Sequence, residues 1–228
     1  EERLGTRLLN RTTRQISLTE AGEGFYERVI AILAGLEDAE AFIAHGSSDA
    51  RGVLKISAPT SFARMHIAPH LDKFMRANPG LKINLDVSDD YVDIVSAGID
   101  LAIRIGELQD STLVARKLAG VRRVLCATPK YIERAGMPKT WQDLDHHALI
   151  APHNQGPWKL DGNEGQIIYR PNSTLLTNSS EVVREAVISG MGIALRSTWD
   201  IGPEIDRGQL TRVLPAYSAT RGLGIYAV

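Results

Sequence analysis

Polar side chains that could hold an anion stand at two predicted helix starts of this 228-residue sequence. Thr60-Ser61 follows the strand-like run at 53–57, and Asn178-Ser179-Ser180 comes directly before an apolar helical pattern. At a helix start the first backbone N–H groups lack partners and the helix dipole is positive, which attracts a carboxylate or a phosphate. Ordinary N-capping explains either position alone. Because ligands of open α/β sheets bind beyond the carboxyl ends of the strands, two such starts facing one cleft predict a small-anion site.

The usual signatures of an enzyme are missing from the sequence. There is no phosphate-binding Gly-x-x-x-x-Gly-Lys-Ser/Thr loop and no Gly-x-Ser-x-Gly elbow, and Gly190-Met191-Gly192 lies between a helix and a strand, the reverse of a dinucleotide-binding turn. His66 and His70 lack a glutamate partner, and the adjacent His146 and His147 would point to opposite faces of an extended segment. We therefore predict no catalytic residue, no metal ligand and no cofactor.

A single cysteine and an ordinary composition narrow the class of protein. The chain is 43% hydrophobic and 23% charged, as folded globular proteins are. Cys126 cannot form an internal disulfide, which excludes a disulfide-stapled secreted domain, and its apolar neighbours favour a buried, unreactive thiol. No apolar run approaches the roughly 18 residues of a membrane span. The cytoplasm is the expected compartment, with no membrane partner.

Basic charge is concentrated at the front of the chain. The totals of 26 Lys+Arg and 27 Asp+Glu nearly cancel, which argues against a surface that is basic all over. Four arginines against two glutamates nevertheless give residues 1–18 a net charge of +2 and leave −3 on the other 210 residues. Short β-favouring runs on either side of Arg11-Thr12-Thr13-Arg14 predict a small hairpin with two arginines at its tip.

A long amphipathic helix is predicted from the N-cap Thr19 to about His45. Its apolar positions alternate between spacings of four and three residues, which makes a heptad seam. The seam consists of Phe25, Val29, Ile32, Leu36, Ala39 and Ile43. Such a helix has few places to bury a stripe within a small protein, so the pattern favours self-association; packing inside the chain is the alternative.

Strands and helices alternate after the Gly-Ser linker that ends this helix. Helices are predicted from Ser61 to about Asn78, over 92–98, from Pro129, from Ser180 to Ile188 and over 199–207, with strands between them. Alternation of this kind indicates a mainly parallel sheet. The expected architecture is a dimerisation helix followed along the chain by two α/β lobes.

Particular motifs resemble the LysR-type transcriptional regulators along essentially the whole chain. In residues 3–22, Leu4-Gly5 resembles the end of the recognition helix of a winged helix-turn-helix, the arginine stretch resembles the wing, and Leu18-Thr19-Glu20-Ala21-Gly22 resembles the opening of the linker helix. Gly98–Gly106, Ala127-Thr128-Pro129 and Gly190–Ala194 resemble stretches of the effector-binding region.

The resemblance implies three regions: the wing at 1–18, the linker and dimerisation helix with its hinge at 19–51, and an effector-binding domain at 52–228. That domain is expected to have the two-lobe fold of type II periplasmic binding proteins, with a small organic anion in the cleft. Matched onto this chain, the family's pocket positions are Thr60, Ser61, Phe62, Arg104, Ile105, Thr128, Asn178 and Ile193. The polar members would orient a carboxylate, although a structural ion pair is an equally open role for Arg104.

The implied partners are promoter DNA and further copies of the chain. Arg7, Arg11 and Arg14 fall where the wing approaches DNA phosphates, and the seam implies a dimer or, as the resemblance suggests, a tetramer. Because the first two helices and most of the recognition helix of that family are missing from this sequence, the chain alone is expected not to bind an operator specifically. Two alternatives share the two-lobe fold: a solute-binding protein of a transport system, and a small transferase.

Overall fold

A computed structural model describes residues 1, 4–11, 16–19, 21–26, 28, 29, 32, 50–90, 93–107, 113–153, 156–162 and 165–228. The chain divides into two compact units, one made of residues 1–52 with 78–81 and the other of residues 53–77 with 82–228. None of the described helices is both long enough and apolar enough to cross a membrane.

The first unit contains the predicted hairpin and the start of the predicted long helix. Strand β1 (Leu9–Arg11) pairs antiparallel with β2 (Ile16–Leu18). The Thr19 hydroxyl accepts a hydrogen bond from the Gly22 N–H at 3.0 Å, which caps helix α1 (residues 21–26) as predicted.

The described seam positions are helical and not fully buried. Phe25 and Ile32 are exposed and Val29 is half-buried. Arg14, Leu36, Ala39 and Ile43 lie outside the described residues. Self-association through the seam remains a prediction.

Lobe I of the second unit is a five-stranded sheet with one helical run. The strands are β3 (Gly52–Ala58), β4 (Leu81–Val87), β5 (Leu101–Glu107), β6 (Arg116–Gly120) and β13 (Leu223–Ala227), in the order β4-β3-β5-β13-β6. The helical run begins with α2 (Thr60–Phe62), passes through a π-helical turn at Ala63–Ile67 and ends with α3 (Ala68–Ala77). This run confirms the helix predicted from Ser61 to about Asn78.

Lobe II is a four-stranded sheet with helices and a separate hairpin. The sheet strands are β7 (Arg123–Ala127), β8 (Leu149–Ile150), β11 (Ile193–Ser197) and β12 (Thr211–Val213), in the order β12-β7-β11-β8. The helices are α4 (Pro129–Ala135), a 3₁₀ helix at Trp141–His146, α5 (Ser180–Ile188) and α6 (Thr198–Asp206), and the hairpin pairs β9 (Trp158–Gly162) with β10 (Gly165–Tyr169).

The prediction of a mainly parallel sheet is wrong, because both large sheets are mixed. In lobe I, β3 and β5 are parallel, but β13 runs antiparallel to β5 and β6. In lobe II, β11 is parallel to β8 and antiparallel to β7. Strands β7 and β13 are each reached by a passage from the other lobe rather than by a helical crossover within one sheet, and it is such crossovers that enforce parallel strands.

The short helix predicted over 92–98 is also not present in its described residues. Residues 94–98 form turns, and the Asp93 carboxylate accepts hydrogen bonds from the Val95 and Ser96 N–H groups and from the Ser96 hydroxyl. These bonds lower the pKa of Asp93. A side chain that satisfies nearby backbone donors in this way competes with a helix.

The larger part of the hydrophobic core lies in lobe II. One cluster around Leu125, Leu144 and Trp158 covers one side of the four-stranded sheet, and a second around Val124 and Cys126 covers the other. The buried thiol of Cys126 fits the sequence prediction, and burial raises its pKa to about 12. Lobe I has a single smaller cluster. The predicted two-lobe α/β fold is thus confirmed, and lobe II contains the larger hydrophobic core.

Candidate functional site

A cavity of about 560 Å³ lies between the two lobes. Its charged lining is mixed and comes from both lobes. The cations are Arg104, Arg123, Lys159, Arg196 and Arg221, and the carboxylates are Asp89, Asp90, Glu107, Asp161 and Asp200. Which of these cations already has a counterion therefore decides what charge a ligand can bring.

Four of the eight positions predicted for effector binding line this cavity: Ser61, Arg104, Ile105 and Asn178. Ser61 is only 1% exposed, yet its hydroxyl oxygen has no hydrogen-bond partner among the described residues. A buried hydroxyl without a partner costs free energy, so Ser61 is a donor available to a ligand.

Thr60 and Phe62 flank Ser61 and are not among the lining residues. The Thr60 N–H donates to the Asp89 carboxylate at 3.0 Å. The Phe62 ring packs edge-on against Trp199 with centroids 5.3 Å apart and lies 5.0 Å from the His66 ring. Both residues therefore build the wall behind the cavity, and Phe62 joins lobe I to the first turn of α6.

Thr128 and Ile193 are placed away from the cavity lining. The Thr128 hydroxyl accepts the Tyr131 N–H at 3.2 Å and caps α4. Ile193 is fully buried in the core of lobe II. The residues that β11 does contribute to the cavity are Leu195, Arg196 and Ser197, toward the other end of the same strand.

Arg104 is held on strand β5 by hydrogen bonds. Its guanidinium donates to the Ser57 hydroxyl at 3.3 Å and to the Ile103 carbonyl at 3.5 Å. Ser57 is buried on the neighbouring strand β3. These bonds fix the orientation of Arg104 at the cavity wall.

The Asp89 carboxylate spans the two lobes. One oxygen accepts the Thr60 N–H of α2, and the other accepts the Ser180 N–H of α5 at 2.6 Å. The next carboxylate, Asp90, accepts from the Asn178 side-chain amide at 3.2 Å. The two helix starts predicted to bind an anion do therefore face each other, and a carboxylate of the chain itself lies between them.

Arg123 is a cavity cation that sequence reasoning did not single out. Burial, followed by repulsion from Arg196, lowers its pKa, and no carboxylate in the described part of the chain pairs with it. Its neighbour Arg122 is exposed. Strand alternation gave no signal here, since both sides of β7 are buried and Arg122 lies just before the strand.

The other lobe II cations of the cavity have counterions. Arg196 pairs with Asp200 and donates to the Ser180 hydroxyl at 2.9 Å. Lys159 pairs with Glu107 of lobe I at 2.7 Å.

Arg221 is likewise paired, with Asp161 at 3.3 Å. Among the lobe II cations that line the cavity, the half-buried Arg123 thus differs in having no carboxylate partner among the described residues. No group of three or more described His, Cys, Asp or Glu side chains is arranged to hold a metal ion.

Behind the cavity, a buried network of ion pairs ties α5 to α6. Arg184 lies 2.7 Å from Glu204 and 3.2 Å from Asp200, and Asp200 also pairs with Arg196. Asp200 is 1% exposed. The network fixes the start of α5, which carries the Ser180 N–H, relative to the arginine that lines the cavity.

Comparisons with known proteins point to regulators of transcription. The profile of the LysR substrate binding domain matches residues 47–227. An uncharacterized HTH-type transcriptional regulator of Haemophilus influenzae is 38% identical over 220 residues, covering 95% of this chain and 76% of the relative. The HTH-type transcriptional regulator DmlR of Escherichia coli is 38% identical over 221 residues, covering 95% of this chain and 72% of the relative.

A solved structure matches both units of the chain. The full-length structure of AphB, a virulence activator of Vibrio cholerae and a member of the LTTR protein family, covers 99% of this chain and 78% of its own, with 30% identity and a TM-score of 0.72.

Proposed function

Because this chain belongs to the LysR family of transcriptional regulators, we propose that its effector is a small organic anion that binds in the cavity between the two lobes. A cavity of about 560 Å³ lies within the usual range of small-molecule sites, roughly 300–1,000 Å³. Both lobes contribute to its lining, so a ligand there contacts both at once. The effector is thereby able to change how the lobes are arranged.

The unpaired Arg123 carries the proposal of an anionic effector. A half-buried cation without a counterion among the described residues is partly desolvated at a cost in free energy, and an anion in the cavity lowers that cost. Ser61 adds a hydroxyl donor that no described residue uses. Hydrogen bonds between charged partners are stronger than neutral ones, so a carboxylate would gain more in this cavity than an uncharged isostere.

We further propose that effector binding is transmitted to promoter DNA through a homo-oligomer. Arg7, Arg11 and Arg14 would contact DNA phosphates, and the seam from Phe25 to Ile43 would join two helices as a dimer, or a tetramer through further contacts. The exposure of Arg7, Phe25 and Ile32 supports these roles. A cytoplasmic location follows from this function.

The wing is tested in the full-length protein, which includes the recognition helix, by the salt dependence of its binding to DNA upstream of its own gene. Loss of one phosphate contact lowers the slope of log affinity against log salt by about 0.9. Arg11→Ala is expected to lower it by about this amount, whereas Arg51→Ala, outside the wing, should leave it unchanged. An unaltered slope for Arg11→Ala would remove that residue from the DNA interface.

Thermal shift and calorimetric titration with a panel of carboxylates test the effector site. The panel contains acetate, benzoate, succinate and phenylacetate, and each carboxylate is compared with the corresponding uncharged amide. At least one carboxylate should raise Tm, and its amide should not. Arg123→Gln is expected to weaken that binding by about tenfold to a hundredfold, since a hydrogen bond to a charged group contributes about 1.5–3 kcal/mol.

Arg122→Gln is the matched control, because it removes the same charge from the adjacent exposed position. If both substitutions weakened carboxylate binding equally, Arg123 would act only through the net charge of this region and not through a direct contact with the ligand. No stabilisation by any carboxylate, or wild-type affinity in both Arg123→Gln and Ser61→Ala, would overturn the anion site.

A further inference from the structure

Asp89 makes the contacts that a bound carboxylate would make. Its two oxygens accept one backbone N–H from each lobe: Thr60 at 3.0 Å and Ser180 at 2.6 Å. Each donor is the first residue of a helix. One helix is the nine-residue α5, and the other continues from Thr60 through the π-helical turn to Ala77. Such N–H groups are the donors with which proteins hold external anions.

A second observation indicates that a ligand also reaches this place. The Ser61 hydroxyl is next to Thr60, is 99% buried and lines the cavity, yet no described residue hydrogen-bonds it. Asp89 satisfies the backbone donors on either side of the cleft but leaves this hydroxyl without a partner. A ligand carboxylate between the helix starts would have the same two N–H donors and this hydroxyl as a third.

We propose that Asp89 is an internal competitor for the effector's carboxylate and is displaced from the Thr60 and Ser180 N–H groups when the effector binds. This inference rests on the proposed function, because it concerns the anion that the cavity takes up. In the ligand-free protein Asp89 satisfies the two donors and links lobe I to lobe II. In the bound protein the effector makes that link, supported by the charge of Arg123 and the Ser61 hydroxyl.

Displacement of Asp89 changes what holds the lobes together on this side of the cavity. Asp89 and Asp90 lie just after strand β4, separated from it by Ser88, and both contact the α5 side of lobe II. Release of Asp89 removes its own link between the lobes, while the hydrogen bond from Asn178 to Asp90 and the pairs of Arg64 with Glu181 and Lys159 with Glu107 stay in place. Effector binding therefore exchanges one cross-lobe contact for another, which is the differential contact that a population shift requires.

Competition of this kind lowers the apparent affinity for an anion. The apparent dissociation constant equals the intrinsic one divided by the fraction of molecules in which the donors are free. If Asp89 occupies the donors in roughly nine of ten molecules, its removal tightens anion binding by about tenfold. Anion binding should also be visible at the two amides that change partner.

Acetate, the smallest carboxylate, is the probe for this experiment. The wild-type chain, Asp89→Ala and Asp90→Ala are titrated with sodium acetate while amide NMR signals are followed, with sodium chloride keeping the ionic strength constant. In Asp89→Ala, acetate should shift the Thr60 and Ser180 amide signals with an apparent affinity about tenfold tighter than in the wild type. Asp90→Ala removes the same charge from the same cavity without touching either amide donor, so its gain should be clearly smaller.

Two outcomes would overturn the inference. Equal gains in Asp89→Ala and Asp90→Ala would mean that only the charge of the cavity matters. Thr60 and Ser180 amides that do not respond to acetate in Asp89→Ala would mean that no carboxylate takes the place of Asp89. If the alanine variant does not fold, Asp89→Asn is used instead; its side chain keeps the shape but can accept only at one atom, so a smaller gain at the same two amides is expected.

The failure of this inference is distinct from the failure of the proposed function. Carboxylate binding that is weakened by Arg123→Gln but is unaffected by Asp89→Ala would retain the anionic effector and reject the internal competitor. A panel in which no carboxylate binds any variant would reject both.

Discussion

Lobe II and lobe I differ in how much core each has of its own. The four-stranded sheet of lobe II is buried on both sides, and Leu125, Leu144 and Leu160 are fully inaccessible. Lobe I has one small cluster, in which Ile103 and Ile225 each keep 7% exposure. Since buried apolar area is the main source of stability, lobe II should be the more stable of the two.

The outer elements of lobe I show the same difference. Helix α3 has no buried residue, and strand β6 is exposed along its whole length. Phe74 on α3 and Leu118 on β6 are both exposed. A weakly packed lobe facing a well-packed one suits a sensor, because elements that move on ligand binding are drawn from the less stable parts of a fold.

The largest expected effect comes from truncating one core side chain in each lobe. Leu125→Ala should lower the free energy of unfolding by about 4 kcal/mol, since Leu125 is fully buried in the central strand β7 and the cavity it leaves cannot collapse. Ile103→Ala in lobe I should cost only about 2 kcal/mol, because the smaller cluster can relax around it. Urea unfolding followed by circular dichroism measures both. A larger loss for Ile103→Ala would reverse the ranking of the lobes.

A somewhat smaller effect is expected from ion pairs, again one in each lobe. Asp200→Ala should cost about 3 kcal/mol, because it leaves the buried guanidinium of Arg196 without its carboxylate and removes one of the three carboxylates that pair with Arg184. Asp72→Ala breaks the exposed pair of Asp72 with Arg76 on α3 and should change stability by less than about 0.5 kcal/mol. The same unfolding assay compares them. Similar losses in the free energy of unfolding would show that burial does not determine how much these ion pairs contribute to stability.

Helix starts and the overall architecture could be predicted from the sequence because their signals are local. Thr19 and Ser179 are both N-caps, and the Ser179 hydroxyl accepts the Val182 N–H at 3.3 Å. The run from Thr60 was predicted from its position after a strand. Strand direction could not be predicted, because it depends on where the chain passes between the lobes rather than on any residue within a strand.

The cavity itself was only partly accessible to sequence reasoning. Ser61 and Asn178 were found because they stand at helix starts. Asp89 looks like an ordinary acidic loop residue, and its second partner, Ser180, is 91 positions away. Thr128 and Ile193 were chosen by resemblance, which carries over positions but not side-chain directions, and here one caps a helix and the other fills the core. Arg123 differs from the other lobe II cations of the cavity because no described carboxylate pairs with it. Which cations have such a partner is visible only in the structure.

Strand β13 has a consequence for the order in which the protein can be made. It occupies an interior position in the lobe I sheet, between β5 and β6, although it is synthesised after the whole of lobe II. The lobe II sheet comes from one continuous stretch, residues 123–213, and can form before β13 has been synthesised. The sheet of lobe I stays incomplete until β13 emerges, so a nascent sensor acquires its effector cavity only after the whole of lobe II has been synthesised.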